Sequence, residues 1–135
     1  MKIVDNYYTA LDCDQPVALA KFYAALTGLS VEDLGEQREE EVSWIELKDD
    51  QDKTRLAFQK IDNYLAPTWP TGPLPQQAHL DLAVKDLLKA EQEIIKLGAI
   101  KAQFQPGSPK VDPYSTEFIV YLDPAGHPFC LIHRP

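Results

Sequence analysis

One order of signals occurs twice in this chain: a strand pattern, an Asp able to cap a helix, an amphipathic run, and a Gly that stops it. In the first pass, Tyr7 to Cys13 read as a strand and Asp14 is the expected N-cap, with Pro16 close behind. Val17, Leu19, Ala20, Phe22, Tyr23 and Leu26 then recur at helical spacing, and Gly28 stops the run. In the second pass, His79 to Val84 read as a strand and Asp86 as the cap. Leu87, Ala90, Ile94 and Leu97 form the stripe, and Gly98 ends it. Setting Asp86 on Asp14 places His79 on Tyr7, Asp81 on Thr9 and Ala83 on Leu11. A repeat of this length commits the chain to two copies of one supersecondary unit.

Each copy is followed by strand patterns alone. After Gly28 these are 31–34, 42–47 and 55–61; after Gly98 they are 100–104, 118–122 and 128–133. Asp123-Pro124-Ala125-Gly126 has Pro and Gly where a tight turn wants them, and Asp49 to Asp52 is its counterpart. The fold expected is α+β: two βαβββ modules, residues 1–62 and 76–135, in a single domain. Residues 63–75 carry four prolines around Trp69 and are expected to form an extended, fairly stiff linker. A second irregular stretch, Gln105 to Thr116, has no apolar periodicity; a loop that long is functional or mobile.

Composition limits the partners. A net charge of −8 over 135 residues argues against nucleic acid and anionic membrane surfaces, both of which need basic patches. No apolar run approaches the roughly 20 residues of a membrane helix, and no signal peptide is read, so a cytoplasmic location is expected. Cys13 and Cys130 are too far apart for a redox or metal pair and are expected to be buried, inert thiols.

The quoted segments also carry a family resemblance. Tyr8 to Asp14 with Phe22-Tyr23 and Leu26-Thr27-Gly28, then His79 to Asp86, then Tyr121-Leu122-Asp123-Pro124-Ala125-Gly126-His127-Pro128, resemble the vicinal-oxygen-chelate (glyoxalase/bleomycin-resistance/dioxygenase) superfamily, in its order and over nearly the whole chain. The resemblance implies a cupped mixed sheet with helices on its outer face, a ligand in the cup, and a homodimer. Its enzymes hold a divalent metal with one residue from the first and last strand of each module. Carried over by position, those residues are Tyr7, Gln59, His79 and Cys130.

Two residues apart on one strand, His79 and Asp81 share a face, while Leu80, Leu82 and Val84 share the other. With the apolar face under the helix, His79 and Asp81 fall on the cup side beside Tyr7 and Thr9. Tyr7, Thr9, Gln59, His79, Asp81 and Cys130 are therefore the candidate ligand-binding floor. A His–Asp hydrogen bond that merely ties the sheet together would look the same in sequence. Trp44 and Tyr121 fall mid-strand and are expected in the core.

Tyr7, Gln59, His79 and Cys130 form a mixed donor set without a carboxylate, so no cofactor is expected. If a divalent ion (zinc, nickel, manganese or iron) binds, His79, Gln59 and Cys130 are the residues to hold it. No catalytic residue is assigned. The reading preferred is a metal-free small-molecule binder. Two alternatives stay open: a metal-dependent lyase, isomerase or dioxygenase using His79, and a non-catalytic interaction domain with a filled cup.

Overall fold

The computed structural model describes residues 1–106 and 118–134. Most of the irregular stretch read from Gln105 to Thr116 thus lies outside the described residues. The chain divides into two compact units, Met1–Leu65 and Ala66–Pro135, each a βαβββ module. The division falls early in the proline-rich stretch, so residues 66–75 belong to the second unit.

In the first unit the elements are β1 (Thr9–Cys13), α1 (Pro16–Thr27), β2 (Ser30–Val31), β3 (Trp44–Lys48) and β4 (Thr54–Lys60). The sheet order is β1-β4-β3-β2, with β1 parallel to β4 and the other pairs antiparallel. The second unit repeats this with β5 (Leu80–Val84), α2 (Leu87–Lys96), β6 (Ile100–Lys101), β7 (Phe118–Leu122) and β8 (Pro128–His133), in the order β5-β8-β7-β6. A parallel pair needs a long crossover, and here it runs through the helix and the two intervening strands of each unit.

One face of each sheet packs under its helix. In the first unit Leu47, Ile45 and Phe58 are fully buried there with Tyr23 of α1, whose ring stacks on Phe58 at 5.6 Å. Each such side chain contributes about 1.5–3 kcal/mol by leaving water. In the second unit Ile119, Tyr121, Phe129 and Leu131 take this role against Leu87 and Ile94 of α2. Tyr121 is core, as its mid-strand position suggests, and its hydroxyl donates to Glu91 Oε2 at 2.6 Å.

Two local readings change, and the charged run 36–41 closes in a 3-10 segment at Glu39–Glu41. The N-cap position of α1 is Gln15, not Asp14, and no side chain caps it; Pro16 occupies the first helical position, where its missing N–H costs nothing. The proline-rich stretch is not extended: Thr68 and Leu74 bond back to each other through Thr68 N to Leu74 O, 2.6 Å, and Leu74 N to Thr68 Oγ1, 2.9 Å.

The turn after β7 matches its reading closely. Buried Asp123 accepts from Ala125 N at 2.9 Å and His127 N at 3.0 Å. Gly126 adopts φ 86° where a Cβ would come 2.7 Å from Ala66 Cβ, so only glycine fits. That turn sets the start of β8 and hence the placement of Cys130.

Candidate functional site

The polar site grows out of one strand pairing. β5 and β8 run parallel with Asp81 opposite Cys130, so the two side chains leave the same face of the sheet. His79 stands two residues before Asp81 and joins them: its Nε2 lies 3.1 Å from Asp81 Oδ1. The donor atoms of His79, Asp81 and Cys130 lie within 4.8 Å of one another. This face is the one away from α2, as the alternation of Leu80, Leu82 and Val84 predicts.

Asp81 is the hub of the group. Its carboxylate lies 3.1 Å from His79 Nε2 and within hydrogen-bonding reach of the Cys130 thiol. Burial pushes the Cys130 thiol up to about 11, and the neighbouring Asp81 charge and its hydrogen bond push the same way. A thiol so held is protonated at neutral pH and is no nucleophile, although Cys, His and Asp are the residue types of a catalytic triad.

Beside this polar edge the second unit has a cavity of about 400 Å³. His79 and Cys130 reach its lining, with Gln76; the rest is apolar and half aromatic, with Trp69, Phe104, Phe118 and Phe129. Trp69 and Phe104 sit at 5.7 Å with their planes tilted by 54°. Cys130 packs with Ala102 and Val120 beneath Trp69 and Phe118. The first unit has clefts of about 340 and 470 Å³, but the residues around them are largely charged, among them Glu39, Lys60, Glu32 and Asp52. They lack the aromatic walls that hold an organic ligand.

The remaining candidates belong to the first unit. Because Pro16 fixes Gln15 as the cap, Thr9 corresponds to Leu80, and the counterpart of His79 is Tyr8 rather than Tyr7. Thr9 shares the helix-side face of Leu11 and Cys13, whereas Gln59 pairs with Asp12 and Trp44 on the other face. Tyr7 precedes the strand and is exposed. In register terms Ala10 and Ala57 stand where Asp81 and Cys130 stand in the second unit. Trp44, read as core, is 39% exposed and donates through Nε1 to Glu46 at 2.8 Å. Cys13 is buried, with its thiol directed at Gln59 O, 3.6 Å away.

Sequence reasoning missed the cavity walls Trp69, Gln76 and Phe104. They come from irregular segments, where no periodicity says which way a side chain points. Trp69, ahead of β5, and Phe104, just after β6, were the available signal.

A sequence profile described as a glyoxalase-like domain matches residues 8–132. The chain belongs to the glyoxalase-like family. Among solved structures, this glyoxalase-like chain is similar to a possible glyoxalase from Bacillus cereus, with 15% identity, TM-score 0.59, and 96% of this chain and 99% of that one covered. A glyoxalase/bleomycin resistance protein/dioxygenase family enzyme from Burkholderia phytofirmans PsJN gives 15%, 0.60, and 93% and 95%. The fosfomycin resistance protein FosX from Mesorhizobium loti gives 11%, 0.61, and 99% and 95%. At such identities the likeness establishes the fold. No curated protein matches the chain.

Glyoxalase-like proteins often use a divalent metal, and the residues present fit one in kind. An imidazole, a carboxylate and a thiol are a donor set zinc accepts. Asp81, rather than Gln59, would be the third donor beside His79 and Cys130. Such an ion, when bound, polarises a substrate oxygen or acidifies a water. Binding would have to strip the thiol proton and part the His79–Asp81 pair.

Proposed function

We propose that this chain is a small-molecule-binding member of the glyoxalase-like family, with its ligand in the aromatic cavity of the second unit and His79 at the polar end. The observation that carries this reading is the cavity itself: about 400 Å³, apolar-walled, with the His79–Asp81–Cys130 group at one edge. Pockets of this size and make-up suit organic molecules of modest size. The first unit offers Tyr8, Ala10 and Ala57 at the corresponding positions, none an effective metal donor.

A second reading is favoured by the same three donors: a divalent ion held by His79, Asp81 and Cys130, serving a lyase, isomerase or dioxygenase reaction. Metal analysis of protein purified without chelator, followed by thermal-shift screening of aromatic compounds after chelation, separates the two. The first reading expects no stoichiometric metal, and compound-induced stabilisation that is lost in Trp69→Ala. A stoichiometric ion that disappears in His79→Ala would replace it with the second. A homodimer and a cytoplasmic location are part of this proposal; a monomeric mass in sedimentation would remove the former. No helix among the described residues is long and apolar enough to cross a membrane.

A further inference from the structure

We infer that the cavity selects ligands that present hydrogen-bond donors from a flat aromatic body, and that it rejects anions; this rests on the cavity being the ligand site. At its polar edge His79 Nε2 lies 3.1 Å from the Asp81 carboxylate, which places acceptor oxygens beside the cavity.

Gln76 supplies the acceptor. Its Oε1 is buried and has no hydrogen-bond partner among the described residues, while the residue itself lines the cavity. A buried carbonyl without a partner is costly, so a donor arriving from the cavity recovers that cost on binding.

The charges point the same way. No lysine or arginine is among the described residues lining the cavity, and Asp81 places a negative charge just behind His79. A carboxylate, phosphate or phosphonate would lose its hydration and meet the Asp81 charge at the polar edge. The Trp69–Phe104 pair and Phe118 offer ring faces and edges to a planar body, which adds stacking to plain area burial. The ligand class is thus an aromatic or heteroaromatic amine, amide or phenol, neutral or cationic.

Three probes of equal shape test this on the chelated full-length protein: 2-naphthol, 2-methoxynaphthalene and 2-naphthoate, titrated by calorimetry and by amide chemical shifts. The naphthol is expected to bind about tenfold more tightly than its methyl ether, the ratio a single net hydrogen bond gives. The naphthoate is expected to bind more weakly than both. In Gln76→Leu, which keeps the side chain's volume and removes the orphan oxygen, the naphthol should fall to the level of the ether.

Equal binding of naphthol and ether, or tightest binding of the ether or the naphthoate, overturns the donor rule while leaving the cavity as the ligand site. A naphthol preference that persists in Gln76→Leu overturns the role of Gln76. If none of the three binds, or the shifts map away from Trp69, Phe104 and Phe118, the cavity reading itself falls and the donor rule with it.

Discussion

Gln105 pairs with Val120 through its side chain as a strand would through its backbone. Its amide accepts from Val120 N at 2.9 Å and donates to Val120 O at 2.8 Å, with a further bond to Ala102 O at 2.8 Å. One residue thus meets both main-chain groups of the β7 position beside Cys130. Gln105→Ala leaves the N–H of buried Val120 unmet, while its C=O keeps the bond from Ala102 N at 3.0 Å. It is expected to lower stability by about 1–3 kcal/mol, read as a shift in the urea midpoint with an unchanged slope.

The thiol chemistry gives a second test. In a Cys13→Ala background, so that only Cys130 can react, alkylation by iodoacetamide should be negligible at neutral pH and rise only toward about 11. Asp81→Asn removes both the charge and the ionic hydrogen bond that oppose the thiolate. The midpoint of the rate profile should move down, yet stay above an ordinary thiol because burial persists. An unmoved midpoint would mean that Asp81 does not reach the sulfur.

Two glycines separate backbone strain from close packing. Gly28, the left-handed C-cap of α1 at φ 74°, has open space where a Cβ would go. Gly28→Ala should cost about 1–2 kcal/mol from conformation alone. Gly126 carries a similar φ but also the 2.7 Å approach to Ala66 Cβ. Gly126→Ala should therefore cost clearly more, seen as the larger drop in thermal midpoint of the two variants.

Glu46 provides a pH signature. It accepts from Thr54 Oγ1 at 2.5 Å and Trp44 Nε1 at 2.8 Å, and these bonds hold its carboxyl below the ordinary range. A group whose folded pKa is depressed stabilises the fold above its unfolded value and loses that contribution as pH falls through the folded one. Glu46→Gln should accordingly be less stable than the parent at neutral pH. The difference should shrink as acid protonates the parent's carboxyl below its usual value of 4.5.

These residues mark how far the sequence could be read. The doubled strand-helix order, the Gly28 and Gly98 stops, the Asp86 cap and the Asp123–Gly126 turn are short-range chemistry, and each stands where its local signal put it. The pairing of His79 with Asp81 followed from strand alternation. The correspondence between modules slipped by one residue, because Asp14 looked like a better cap than Gln15; Pro16 at the first helical position was the stronger signal. A slip of one exchanges the two faces of a strand, which is why Tyr7 and Thr9 were matched to His79 and Asp81. Asp81 as the third donor, and Trp69, Gln76 and Phe104 as cavity wall, depend on chain segments that meet only after folding.

The parallel pairing that sets Asp81 opposite Cys130 has its twin in Ala10 opposite Ala57, with Tyr8 ahead of it as His79 stands ahead of Asp81. The scaffold therefore has two sockets of one design, and only one is furnished. Tyr8→His, Ala10→Asp and Ala57→Cys together would furnish the other without touching the helix-side core. A duplicated module can in this way change the chemistry of one half while the other keeps only its fold.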